Sequence, residues 1–98
     1  MANNKSNTCK LTGIVSSDIT NIPNQKYGLT FKIKVYRPAE VGKIQHYDEL
    51  EVVAYDSQNT QIITNNLTRG IGCCVHGEVR VWYDKTVKIL ARKIDPIY

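Results

Sequence analysis

The segment Leu-Thr-Phe-Lys-Ile-Lys-Val-Tyr, residues 29 to 36, alternates apolar and polar side chains without a break. Successive residues of a strand point to opposite faces, so Leu29, Phe31, Ile33 and Val35 fall on one side, and Thr30, Lys32, Lys34 and Tyr36 on the other. A helix would scatter the same residues around its circumference; this stretch therefore folds as a strand with one dry and one wet face. Alternation or β-branched residues also mark Cys9 to Val15, Tyr47 to Tyr55 and Cys73 to Tyr83. A fifth strand, Val87 to Ile94, comes after Asp84-Lys85-Thr86, short enough for a hairpin turn.

Loop residues separate the first two strands (Ser16 to Gly28) and the next two (Pro38 to His46). Only Ser57 to Arg69 has helical spacing, through Ile62, Ile63 and Leu67, with Asp56 or Ser57 as N-cap and Gly70 as the stop. Five short strands with one short helix between the third and fourth make the plan of an oligonucleotide/oligosaccharide-binding (OB) barrel, an all-β fold that hides its sheet edges by closure. A small sandwich or SH3-like barrel is the rival, and the helix position counts against it. A chain of 98 residues supports one compact core, so a single OB-fold domain over residues 1–98 is expected, behind a short disordered N-terminus of about residues 1–7.

No apolar run approaches the roughly 18 to 20 residues that span a bilayer, and Met-Ala-Asn-Asn-Lys-Ser-Asn-Thr-Cys-Lys lacks the apolar stretch of a secretory signal. Three cysteines, Cys9, Cys73 and Cys74, are too few and oddly numbered for a secreted disulfide framework and point to a reducing compartment. Thirteen Lys and Arg against nine Asp and Glu leave a formal charge of +4, compatible with a polyanionic partner.

The run Cys73-Cys-Val-His invites a metal or thiol site. Neighbours on a strand face opposite ways, however, so Cys73 and Cys74 do not readily bind one ion, and the chain supplies no second Cys or Cys/His pair. No metal, cofactor or catalytic residue is expected: His76 shares a face with Cys74 but lacks a matching acid or base, and Gly70-Ile-Gly72 lacks what a phosphate-gripping loop needs.

Alternation says more about the residues beyond His76. If Val75, Val79 and Val81 face the core, Glu78, Arg80 and Trp82 project outward. An exposed indole forgoes about 2–3 kcal/mol of burial, so an outward Trp points to an interface or a ligand. On the third strand Leu50, Val52 and Ala54 turn inward, leaving Glu49, Glu51, Val53 and Tyr55 outside, a mixed face whose carboxylates need neighbouring cations before it suits phosphate. Lysines and aromatics on one wet face, as in Lys32, Lys34 and Tyr36, are the ingredients of single-strand binding.

In this order, Phe31-Lys-Ile-Lys-Val-Tyr-Arg-Pro, Asp48-Glu-Leu-Glu-Val-Val-Ala-Tyr, Leu67-Thr-Arg-Gly with Val75-His-Gly-Glu-Val-Arg, and Lys88-Ile-Leu-Ala-Arg-Lys-Ile resemble successive blocks of bacterial-type single-stranded DNA-binding proteins; Leu11-Thr-Gly fits their first strand. The resemblance runs from about Cys9 to Ile94. It implies an OB fold that forms homodimers or homotetramers and binds single-stranded DNA through stacking and basic contacts; the sequence itself does not separate DNA from RNA as the strand bound. On matching positions it makes Tyr36, Tyr55 and Trp82 stacking residues, with Tyr83 as the alternative to Trp82, and Lys32, Lys34, Arg37 and Arg80 phosphate contacts; Tyr47 at its loop end and Lys85 in the hairpin complete the candidate set. Glu49 stands where the family carries a stacking aromatic. The chain ends at Asp95-Pro-Ile-Tyr, without the acidic, hydrophobic-tipped tail that recruits replication proteins, so the resemblance implies a tail-less member, of the primosomal protein B branch or of the tail-less SSB-like proteins of plasmids, phages and organelles.

The expected function is thus non-enzymatic, sequence-independent single-stranded DNA binding in replication, repair or recombination, in the cytoplasm at the nucleoid or in an organelle, with no membrane partner. The alternative is an interaction module that docks a helicase or other replication or primosome protein through its sheet edges and Trp82, motivated by Glu49 and Glu51.

Overall fold

A computed structural model describes residues 7–97. The chain forms β1 (Cys9–Val15), β2 (Thr20–Asn21), β3 (Leu29–Tyr36), β4 (Tyr47–Ala54), α1 (Ser57–Asn66), β5 (Gly72–Val81) and β6 (Val87–Ile97). They build one sheet in the order β1-β5-β6-β4-β3-β2, closed by the pairs Ile14↔Lys34 and Val15↔Ile33 between β1 and β3. Among the described residues only the β4–β6 pairing is parallel. Apart from the two-residue β2, this is a closed five-stranded barrel with its helix between the third and fourth long strands, the OB fold that the strand order predicts.

The barrel fills with the side chains that alternation turned inward. Phe31, Ile33, Val52, Ala54 and Val75 are buried together with Val15, Cys73, Ile89, Ala91 and Ile94, while Ile63 and Leu67 of the helical segment join the same cluster. The helix opens on Asp56, whose extended backbone and carboxylate cap the Asn59 amide at 2.7 Å. The Asn59 side chain then donates to the Arg92 carbonyl at 3.0 Å, pinning the first turn to β6. The helix stops at Asn66, three residues before the expected Arg69. Leu67 is extended and buried, since filling the barrel requires its side chain to leave the helical track, and Gly70, at φ +98°, makes a turn inside the following loop instead of capping the helix.

Two expected core positions are corrected. Val79 and Val81 have the inward parity, paired with Ile89 and Val87, yet are 45% and 67% exposed. The β5–β6 hairpin runs past the barrel end, where among the described residues no facing strand covers them. Within it the register shifts at His76/Gly77: His76 pairs with Lys93 and Gly77 with Ala91, so Arg92 is the extra residue of a β-bulge. The bulge lets Ile94 and Ala91, three residues apart, both enter the core.

Beyond Gly77, β5 has no β1 neighbour, because β1 begins at Cys9↔Gly77. Asn7 covers that bare edge: its carboxamide donates to the Val79 carbonyl at 3.2 Å and accepts the Val79 amide at 3.0 Å, as a neighbouring peptide would. The expected disordered N-terminus of about residues 1–7 otherwise lies outside the described residues.

The hairpin tip closes with the Trp82 amide donating to the Thr86 carbonyl at 2.8 Å and the Lys85 amide to the Trp82 carbonyl at 2.9 Å. The Thr86 hydroxyl and amide both donate to Asp84 and hold its carboxyl below the usual range. Lys85 sits at φ +70°, a conformation that costs a side-chain-bearing residue energy and glycine none. Lys85→Gly is expected to stabilise the free protein by about 0.5–1 kcal/mol, read as a raised midpoint in urea unfolding.

Candidate nucleic-acid interface

The outer side of the four adjacent strands β3, β4, β6 and β5 presents one face whose side chains are set by register. Tyr36 lies opposite Tyr47, Lys34 opposite Glu49, Lys32 opposite Glu51, and Arg80 opposite Lys88. The parallel pairs Val52↔Ile89 and Val53↔Leu90 carry this surface across the middle of the sheet.

At one end the Tyr36 and Tyr47 rings meet edge to face, 5.9 Å apart at 63°, and the Lys34 ammonium lies 4.4 Å from the Tyr47 centroid. Both tyrosines remain about half exposed. This arrangement leaves ring surface in water beside a cation. Tyr47, expected only at a loop end, is the first residue of β4.

At the other end, some eight residues and about 25 Å along the strand direction, Tyr55 and Trp82 wall a groove of about 300 Å³ with Lys88, Thr30, Glu51 and Val53. A shallow recess on their other side involves Arg80 and Leu90. Trp82 is on the outer side, as alternation requires, but half-buried, so it recovers part of the hydrophobic energy an isolated indole would forgo. Val53 corrects the expectation of an exposed residue: it has the outward parity but is 1% exposed, because it floors this groove. The Lys88 ammonium lies 5.3 Å from the Trp82 ring.

The carboxylates of this face all have partners. Glu51 accepts the Thr30 hydroxyl at 2.9 Å and meets Lys88 at 3.3 Å; Glu49 accepts the Ser16 hydroxyl at 2.8 Å. Glu78 is held by Arg80 at 2.9 Å and Arg92 at 2.8 Å, and hydrogen bonds from these two guanidinium groups keep its carboxyl below the usual range. Neighbouring cations thus answer Glu51 and Glu78, while Glu49 faces Lys34 across the ladder. The Lys32 ammonium has no ion-pair partner among the described residues.

The face gathers Lys32, Lys34, Tyr36, Tyr47, Tyr55, Arg80 and Trp82. Tyr83, 94% exposed, and Lys85 stand beyond it at the hairpin tip. Arg37 is not brought together with these residues. It comes after Tyr36 with the opposite parity and bonds Asp48 at 2.6 and 3.1 Å, a pair that raises the guanidinium and lowers the carboxyl from their ordinary ranges through that hydrogen bond. Lys88, which joins the face, was not legible as a site residue: the bulge at Arg92 resets the parity of β6, and only pairing reveals it.

Cys73 is fully buried, and burial, helped by the neighbouring Cys74, pushes its thiol up to about 11, so it stays protonated and inert. Cys74, on the opposite side of β5, places its sulfur 3.6 Å from His76 Nε2, which is also 3.6 Å from an Asp95 oxygen. Among the described residues no set of three such side chains is placed to hold a metal ion.

No family model matches the sequence, and no curated protein matches it. Solved structures do. A single-stranded DNA-binding protein (SSB) of Plasmodium falciparum, in complex with single-stranded DNA, superposes with a TM-score of 0.71 at 22% identity, over 99% of this chain and 97% of that one. The mitochondrial single-stranded DNA-binding protein Rim1 of S. cerevisiae gives 0.74 at 14% identity, over 93% and 94%. The dimeric N-terminal domain of PriB from Thermoanaerobacter tencongensis gives 0.65 at 19% identity, over 96% and 99%. At these identities the likeness is one of fold: this chain has the OB fold found in SSB and PriB proteins.

Proposed function

From the fold shared with SSB and PriB proteins, we propose that this protein binds single-stranded DNA without sequence preference and performs no catalysis. The observation that carries the reading is the collection of two aromatic clusters and the lysines between them on one wet sheet face. Bases stack on Tyr36 and Tyr47 at one end and on Tyr55 and Trp82 at the other, each contact contributing about 1–3 kcal/mol. Lys32, Lys34, Lys88 and Arg80 neutralise phosphates, and the counterions released supply the salt-dependent part of affinity. Arg80 and Lys88 reach phosphate by exchanging carboxylate partners: the Arg80 guanidinium is half-exposed in its pair with Glu78, whereas the Lys88–Glu51 pair is mostly enclosed and Lys88 gives up its partner at greater cost. Arg37, turned away with Asp48, is left outside this track.

One structural neighbour is in complex with single-stranded DNA and another is dimeric, which supports single-strand binding by a homo-oligomer, a dimer or a tetramer; such binding would serve replication, repair or recombination. The emission of Trp82, the chain's one tryptophan, is expected to quench on addition of oligo-dT at low salt, with log K falling linearly against log salt at about 0.7 per phosphate contacted. An unchanged emission together with no gel shift sinks this reading. A second reading, a docking module for a helicase or other replication protein, is favoured by one observation, the apolar strip of Val79, Val81 and Val87 bared on the inner side of the hairpin. It would survive that negative result.

A further inference from the structure

A cavity of about 380 Å³ opens at the β3 margin of the aromatic face, where it shares Thr20, Thr30 and Glu51 with the Tyr55/Trp82 groove; its lining also includes Ser17, Asp18, Lys32 and Arg69. Both walls are fixed by backbone bonds. The Ser16 amide donates to the Lys32 carbonyl at 2.8 Å and the Lys32 amide to Ser17 Oγ at 2.7 Å; on the other side the Gly70 amide donates to the Val15 carbonyl at 2.8 Å. Two cations from unrelated segments, Lys32 and Arg69, are thereby set around one small concavity that also carries the Ser17 and Thr20 hydroxyls.

The charges in this notch are unequally matched. Glu51 is already engaged by Lys88 and the Thr30 hydroxyl. Arg69 meets Asp18 at 3.2 Å, but the two side chains are 62% and 81% exposed, so water and salt compete effectively for the pair. The Lys32 ammonium has no ion-pair partner among the described residues. A guanidinium fork and an ammonium lining one notch with the Thr20 hydroxyl complement a tetrahedral phosphate oxyanion better than a single exposed carboxylate.

We propose that this notch holds a phosphodiester of single-stranded nucleic acid between Arg69 and Lys32, with Asp18 as an anionic placeholder that the phosphate displaces. The inference rests on the DNA-binding reading above and extends its track from Lys32, at the margin of the sheet face, to Arg69 in the loop that comes after the helix. Arg69 carries no signal of this in sequence, because it lies in a loop between α1 and β5, with no periodicity to say what it faces.

The test is anisotropy of fluorescein-labelled oligo-dT over a potassium chloride series, with wild type, Arg69→Ala, Arg69→Lys, Asp18→Asn, the double variant Arg69→Ala/Asp18→Asn, and Trp82→Ala as reference. Arg69→Ala is expected to weaken binding and flatten the log K against log salt slope by about 0.7, and Arg69→Lys to keep the wild-type slope. Asp18→Asn is expected to tighten binding at low salt, and this gain should vanish in the double variant. A wild-type slope in Arg69→Ala while Trp82→Ala still loses affinity overturns the notch and leaves the DNA-binding reading intact. A gain from Asp18→Asn that persists without Arg69 overturns the placeholder, and no binding by wild type at the lowest salt overturns both.

Discussion

Replacing Trp82 by alanine is expected to weaken binding to oligo-dT by about 5- to 150-fold, the equivalent of one base–aromatic stack of 1–3 kcal/mol. The salt slope should not change, because no phosphate contact is removed. This residue carries the largest expected effect because it is the only one that walls both recesses together with Tyr55, and because Lys88 at 5.3 Å joins a cation to the same ring. Trp82 lies outside the core cluster, so the loss should not come from unfolding, and an unchanged urea midpoint would establish that. Tyr83→Ala, by contrast, should change little, since its 94% exposed ring stands past the groove. A larger loss for Tyr83 than for Trp82 would move the site to the hairpin tip and refute the groove.

Gly77→Ala is expected to destabilise the fold by about 3 kcal/mol, at the upper end of what overpacking usually costs. A Cβ at this position would press into the Leu90 carbonyl oxygen and lie 3.0 Å from its carbon and 3.3 Å from Ala91 Cα, all of them backbone atoms that no rotamer change moves aside. Out of a typical total of about 5–15 kcal/mol this is a large fraction. The hairpin would have to open at the bulge, and Arg80 and Trp82 lie beyond it, so DNA affinity should fall together with stability. Gly42→Ala is the control: its Cβ would meet nothing within 4 Å, and φ +79° alone should cost about 1 kcal/mol. A wild-type urea midpoint for Gly77→Ala would show that β5 and β6 have room to separate at this point.

The central strand Leu29–Tyr36 was legible in full, including its ends and its wet face, because a half-buried strand writes its environment into every second residue. The helix start was legible to within one residue, as Asp56 or Ser57, for a similar reason: a side-chain oxygen just before the first turn has a local job to do, and the Asp56 carboxylate does it on the Asn59 amide. The helix end was not, since Leu67 answers to the barrel interior and not to its neighbours in the chain.

Parity also came through where burial did not. Val79 and Val81 do face the inner side, but whether an inner side is covered depends on how far the opposing strands extend, and that is decided by chain segments distant in sequence. Val53 errs in the opposite direction for the same reason, because Tyr55 and the hairpin residue Trp82 enclose an outward position. Arg37 continues an unbroken alternation out of β3 and lands on the side of Asp48.

Local chemistry alone therefore determined the five long strands, their order about one helix, and the sorting of Lys32, Lys34, Tyr36 and Trp82 away from the core. Those properties arise from side-chain period, backbone dihedral preference and capping, which act over a few residues. Only the closed sheet decided that Tyr36 meets Tyr47, that Lys88 reaches both Glu51 and Trp82, and that Arg69 lines the same notch as Lys32. Register, a one-residue bulge and barrel closure set these proximities, and each depends on pairing between segments whose separation along the chain no local pattern records.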